Sequence, residues 1–273
     1  MLSRLAALLL LTGSAPALSS SSFEASLAQG DAAFIARGEP ARLSEAIDAY
    51  LRAVAERPRD PSAQVRLARA EAFRALSEPE PAHAREAWLL SGRAAERALR
   101  ELSPAFASAV DGGESPAAAA ASVDEGGAEP LYLLAQATMG AAQATGYAAV
   151  LAVKDAALAL MARAAELDER VDAGGPHRAL GSWRAALPIA AGGGASAAKS
   201  HFDRAREMFP DDLLGRVAEA ETLAVLLQDA ARFDALLDEV EAFDLGRDPG
   251  RAPENRLAKS KAVELARRRA LLF

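Results

Sequence analysis

Two stretches far apart in the chain share one spacing: Ala46-x3-Tyr50-x2-Ala53-x4-Pro58 and Ala198-x3-Phe202-x2-Ala205-x4-Pro210. Residues three, four and seven apart lie on one face of an α-helix, so each stretch aligns a small, a large and a small side chain along one stripe. Each ends in a proline, which cannot continue the helix. Small residues let a second helix approach closely, and the large one fills the groove beside it. The same small-large-small order recurs as Ala157-x3-Met161-x2-Ala164. A degenerate copy keeps Ser91, Ala95 and Ala98, with Pro104 one residue late. Independent copies of one helix-packing signature constrain the chain to stacked helix pairs.

The spacing is that of the second helix of a tetratricopeptide unit, and the composition agrees with it. Apolar residues make up 51% and charged residues 25%, as in a globular protein, while aromatics are only 5% and alanine dominates the apolar class. Alanine favours closely packed helices over the β-branched, aromatic surfaces of strands. The expected fold class is therefore all-α, a tetratricopeptide-like array of antiparallel helix pairs (an α-solenoid). Helices are expected near 24–37, 42–57, 61–76 and 82–102, separated by Gly38-Glu39-Pro40, Pro58 and Pro79-Glu80-Pro81. Residues at about 105–129 turn to Ala, Gly, Ser and Asp and read as a flexible loop insertion. From Leu131 to Val153 no charged residue occurs, which suits a central helix covered all round or one wall of an apolar ligand cavity. Asp211-Asp212 and Asp229 are expected to cap two further helices, residues 244–253 to form a loop, and the last residues to form a capping helix.

The N-terminus reads as a separate unit. Arg4, the apolar run Leu5 to Leu11 and Ala15-Pro16-Ala17 have the order of a Sec signal peptide with an A-x-A-like cleavage site. The expected organisation is a signal peptide over 1–17 and a single helical-repeat domain over 18–273, with Ser19 to Ser22 frayed. An exported, periplasmic protein follows. The chain has no cysteine, hence no disulfide and no lipoprotein attachment residue. The net charge of −7 leaves no domain-wide positive field to replace phosphate counterions, so nucleic acid is not an expected partner.

Little in the chain points to catalysis. His83, His177 and His201 are scattered, and no zinc motif, nucleophile elbow or phosphate loop is present. Neither an enzyme, a metal site nor a cofactor is expected. One turn differs from the rest. Gly174-Gly175-Pro176-His177-Arg178 places a proline where a helix starts, and free backbone N–H groups there favour an anion. A carboxylate ligand at Gly174, Gly175, His177 and Arg178 is one reading; the other is that His177 packs and Arg178 pairs with a neighbouring acid such as Asp172. Trp183 and Trp88 are core anchors or ligand stackers, Lys154 a counter-ion or a snorkelling cation, and Tyr147 a further candidate beside them.

Several stretches together resemble the T-component family of tripartite ATP-independent periplasmic (TRAP) transporters. These are Asp172-Ala-Gly-Gly-Pro-His-Arg-Ala-Leu-Gly181, Gly192-Gly193-Gly194, Lys199-Ser-His-Phe-Asp-Arg-Ala205 with Pro210, Leu213-Leu214, and Asn255-Arg-Leu-Ala-Lys-Ser-Lys-Ala262 with Leu272-Phe273. The resemblance covers mainly residues 130–273. It implies a periplasmic helical-repeat shell that associates with a solute-binding protein, a homotrimer, and an apolar pore or cavity for a small organic acid or other carried ligand. A general exported scaffold for envelope protein–protein interactions is the alternative.

Overall fold

The computed structural model describes residues 18–273, so the signal-peptide reading of 1–17 lies outside the described residues. The described chain is all-α. Helix α1 (Leu18–Ile35) contains Ser19 to Ser22 in its first turns rather than leaving them frayed. Five helices then begin on proline: α2 (Pro40–Glu56), α3 (Pro61–Ser77), α4 (Pro81–Leu102), α5 (Pro104–Asp111) and α6 (Pro116–Ala119). Proline costs nothing at these positions because its missing N–H would have had no partner in the first turn, and its fixed φ is already helical. Asp60 closes the start of α3 by accepting from the backbone N–H groups of Ser62 and Ala63 at 2.9 and 3.0 Å.

Two sequence expectations need correction here. The segment at about 105–129 is not a loop. It carries α5, α6 and two short 3-10 turns, and it buries Phe106, Ala119, Ala120 and Val123. Ser103 and Ser115 cap the two helices by accepting from Phe106 N–H at 3.2 Å and Ala118 N–H at 3.3 Å. The uncharged stretch 131–153 is not one covered helix either. It is split at Gly146, whose φ of 134° is open to glycine and strained for other residues. Helix α7 (Ala128–Thr145) runs into the core and α8 (Tyr147–Leu167) returns from it. Leu131, Tyr132 and Met139 are buried, whereas Tyr147 is 66% exposed and Leu151 40%. Lack of charge marked a segment free to be buried, but in α8 the fully buried apolar residues begin at Ala157, with Val150 only partly buried before it.

The remaining elements are α9 (Val171–Ala186), α10 (Ala195–Met208) and α11 (Leu213–Glu219), which runs through a π turn over Ala220–Ala224 into α12 (Val225–Leu227). After these come α13 (Ala230–Ala242), α14 (Ala252–Arg267) and α15 (Arg269–Leu272). Asp212 and Asp229 cap α11 and α13, as their positions suggested, and residues 244–253 hold two 3-10 turns.

Helices adjacent in the chain pack side by side, α1 on α2, α3 on α4, α7 on α8 and α9 on α10, and α4 packs on α7 across the intervening segment, which is compatible with the expected array. The repeat signature is its packing code. Ala46, Tyr50 and Ala53, like Ala198, Phe202 and Ala205, are all buried. The main apolar core runs from α1 to α9. A second core joins α11, α13 and α14 through Leu213, Val217, Phe233, Leu236 and Leu265. Between them lie a small apolar cluster of Ala185, Ala198, Phe202 and Leu223 and a polar knot.

Candidate functional site

The Gly-Gly-Pro-His-Arg stretch stands at this junction. Asp172, Ala173 and Gly174 adopt left-handed backbone angles in succession, with φ of 47°, 53° and 75°. Each L-residue held there costs ~1–2 kcal/mol, so the turn persists only because its surroundings fix it. The regular helix resumes at Gly175-Pro176, where the sequence had placed its start. Gly175 is required by a close approach: a Cβ there would lie 2.6 Å from the Tyr132 hydroxyl oxygen.

Four charged side chains hold the turn. Arg178 donates to Asp172 Oδ2 at 2.6 Å and to Asp212 Oδ2 at 2.8 Å. Arg251 donates to the other oxygen of each carboxylate, to Asp172 Oδ1 at 2.5 Å and Asp212 Oδ1 at 2.8 Å. The result is a closed square of alternating charge. Tyr132 O–H donates to Asp172 Oδ2 at 2.6 Å, and Gly215 N–H to Asp212 Oδ2 at 3.1 Å. Arg178 is only 7% exposed and Asp212 8%. Burial alone would raise the Asp172 carboxyl, but Arg178 and Arg251 beside it hold it well below the usual carboxylate range. Burial opposes the charge on Arg178 in the same way, and Asp212, Tyr132 and Asp172 more than reverse it. Next to the square, the fully buried Asn255 accepts from Leu213 N–H at 3.0 Å and donates to the Asp211 carbonyl at 3.1 Å. Residues from α7, α9, α11 and the lead-in to α14 are thereby tied at one point.

Two cavities flank this knot. The lower one, about 590 Å³, has Phe34, Phe73 and Leu133 on its apolar side and Tyr132, Asp172 and Arg251 on its polar side. Its other arginines are already bound, Arg37 to Glu254 and Arg69 to Glu129, both at 2.5 Å. The upper one, about 580 Å³, lies between Trp88 and Trp183, with Ala179 and Val217 on its walls and Arg178 at its floor. The π turn contributes Glu221 and Thr222 to its rim. Leu76, Gln136 and Leu214 line both cavities. Those three side chains form a shared wall, a neck of the structure, between the two spaces.

The structure brings together only some of the residues singled out from sequence. Arg178 and Trp183 line the upper cavity, and Gly174 and Gly175 form the buried turn beneath it. Arg178 pairs with Asp172, so the carboxylates received at the turn are the chain's own. His177 points elsewhere: its Nδ1 lies 2.9 Å from His201 Nδ1 and its Nε2 3.1 Å from Glu169. Burial, with His177 and Arg184 nearby, lowers His201 to about 4. The Arg204 guanidinium, helped by His177, holds Glu169 at about 2. Tyr147 and Lys154 line neither cavity, and Lys154 pairs with Asp155 at 2.6 Å.

Tyr132, Gln136, Asp212 and Arg251 were not identified as site residues from sequence. Asp212 carried only the signal of a helix cap, and Arg251 lies 79 positions from its partner Asp172. Among the described residues, no group of three or more His, Asp or Glu side chains is placed to hold a metal ion, and no helix is long and apolar enough to cross a membrane.

Fold and site together define an all-helical protein with a charge knot between two cavities. A family model described as TRAP transporter T-component matches residues 65–273, and the chain belongs to that family. It is accordingly an accessory component of TRAP transporters. The matched region contains the whole charge square, the neck and every residue of the upper cavity. A comparison with curated proteins found no match.

Proposed function

We propose that this protein is a periplasmic accessory component that binds the solute-binding protein of a TRAP transporter and holds a small, partly apolar organic ligand in its two cavities. The single observation that carries the ligand part is the neck, where Leu76, Gln136 and Leu214 belong to both cavities. Chambers of about 590 and 580 Å³ fall within the range of small-molecule sites. Family membership supports the partner class, and the resemblance supports a homotrimer. The exposed start of α8, with Tyr147 and Leu151 on an uncharged surface, favours a protein contact there.

Native mass spectrometry of the exported protein, alone and mixed with the solute-binding protein of a TRAP system, tests this. The expected spectrum contains a mixed complex and a retained small molecule. An empty monomer that never associates with that partner refutes the reading and leaves the general envelope scaffold.

A further inference from the structure

Hydrogen-bond accounting at the neck specifies the chemistry of the ligand, and it rests on the cavity being a ligand site. Tyr132 has one hydroxyl proton, and its oxygen has three polar neighbours: Asp172 Oδ2 at 2.6 Å, Gln136 at 2.7 Å and Arg178 Nη2 at 3.3 Å. A carboxylate can only accept and a guanidinium can only donate. The tyrosine proton therefore goes to Asp172, and the tyrosine oxygen must accept from both Arg178 and Gln136. This fixes the Gln136 amide with its nitrogen toward Tyr132 and its carbonyl Oε1 turned away. That Oε1 takes no hydrogen bond from any described residue, on a side chain that lines both cavities.

The donor beside it is equally determined. Arg178 spends Nη1 on Asp212 and on the Asp172 carbonyl, and Nη2 on Asp172 and Tyr132. Its Nε–H has no partner among the described residues, and Arg178 lines the upper cavity. Gln136 Nε2 and Arg178 Nη2 bond the same tyrosine oxygen, so the two side chains are neighbours. The cavity lined by both tryptophans thus also holds an acceptor and a donor with no partner among the described residues.

Charge excludes the obvious alternative. Arg178 and Arg251 are both matched by Asp172 and Asp212, so the square carries no net positive charge with which to attract a carboxylate. The other cation of the upper cavity, Lys261, is exposed, as is Glu221 in the same lining, and solvent screens both. We propose that the neck selects an uncharged apolar molecule bearing a hydroxyl group, which donates to Gln136 Oε1 and accepts from Arg178 Nε–H while its hydrocarbon lies between Trp88 and Trp183.

Both tryptophans of the chain line the upper cavity, so intrinsic fluorescence of the full protein reads its occupancy. Titration at pH 7.5 with 1-octanol, 1-methoxyoctane and octanoate separates the chemistries. Partitioning into an apolar space alone ranks the ether above the alcohol. The expected result is the reverse, the alcohol binding about ten-fold tighter than the ether, with octanoate weaker than octanol. Gln136→Leu keeps the volume, removes the acceptor and is expected to erase the alcohol's advantage while the ether still binds. Equal binding of alcohol and ether by the unaltered protein, or tighter binding of octanoate, overturns the selectivity and leaves the cavity reading intact. If none of the three binds, the cavity reading falls with it. The alcohol-to-ether ratio of the unaltered protein needs no variant, so a misfolded Gln136→Leu does not blunt the test.

Discussion

Replacing Arg178 by methionine should destabilise the protein far more than a surface arginine would. The substitution keeps an apolar stem of similar reach and removes a guanidinium that is only 7% exposed. Asp172 and Asp212 would then share the single cation of Arg251, and each would lose a short ion pair, of 2.6 and 2.8 Å. Breaking a buried pair by removing one partner costs about 3–5 kcal/mol, because the other charge is left uncompensated. In a chain of this size that corresponds to a fall in melting temperature of roughly 10 °C. The loss should also change the pH profile. Asp172 has a folded pKa held below its unfolded value. Its contribution is therefore present above the unfolded value of about 4 and is lost as the pH falls through the folded value. Without Arg178 that carboxyl rises toward its ordinary range, and the acid-induced loss of stability begins at a higher pH. Thermal melts by circular dichroism at pH 7 and pH 4 measure both effects. Arg178→Met combined with Asp212→Asn should be less destabilised than the two single losses added together, since the double change removes one charge of each sign. A melting shift within 1–2 °C for Arg178→Met, or strict additivity in that cycle, refutes the view that the charge square holds the two cores together.

Gly175→Ala forces a Cβ to 2.6 Å from the Tyr132 oxygen and is expected to cost about 1–3 kcal/mol by overpacking, read from the same melts. His177→Ala is expected to leave octanol binding unchanged within two-fold, at a stability cost of about 1 kcal/mol, because His177 faces His201 and Glu169 and lines neither cavity; a large loss of ligand fluorescence change would contradict this. Glu71, 3% exposed on α3, is pushed up to about 7 by burial, with Arg74 working against the shift. Its raised folded pKa means its contribution is present below the unfolded value of about 4.3 and is lost as the pH rises through about 7. Glu71→Gln should therefore be more stable than the unaltered protein by ~3–4 kcal/mol at pH 8 and equal to it near pH 4; urea melts at the two pH values check the crossover.

The helices were legible because their signals are local. Prolines at first turns, aspartate caps at 212 and 229, and the small-large-small stripe each act over a few residues, and the structure uses them where they stand. The composition of the segment after Leu102 suggests a loop, although Ser103-Pro104 and Ser115-Pro116 are both cap-and-proline starts. Those two pairs were the usable signal. In the stretch at 131–153 an uncharged composition fits both a covered helix and a cavity wall, and only Gly146 marks the reversal of the chain. At the site, Arg178 with Asp172 was readable from a separation of six residues. Arg251 was not, because a contact across 79 residues leaves no periodic trace.

The position of the charge square explains why a costly turn is kept. An apolar junction between α9, α11 and α14 would be at least as stable, since a buried ion pair scarcely outperforms well-packed hydrophobic residues. It would also be free to slide, because apolar contacts are weakly directional. Here Asp172 is presented by two successive left-handed residues, Asp172 and Ala173, that no apolar contact would require. The resulting geometry fixes the donor of Arg178 and, through Tyr132, the orientation of Gln136. The strain in the turn and the polarity of the neck are thus one design. Tyr132→Phe separates the two roles: it leaves all four ion pairs of the square intact, and it removes the oxygen that orients Gln136. The expected result is a charge square that still melts cooperatively, with a small loss of stability of about 1 kcal/mol, and a neck that no longer distinguishes 1-octanol from its methyl ether. Retention of the full alcohol preference in Tyr132→Phe would show that Gln136 is oriented by something other than the tyrosine, and the coupling between the turn and the neck would be wrong.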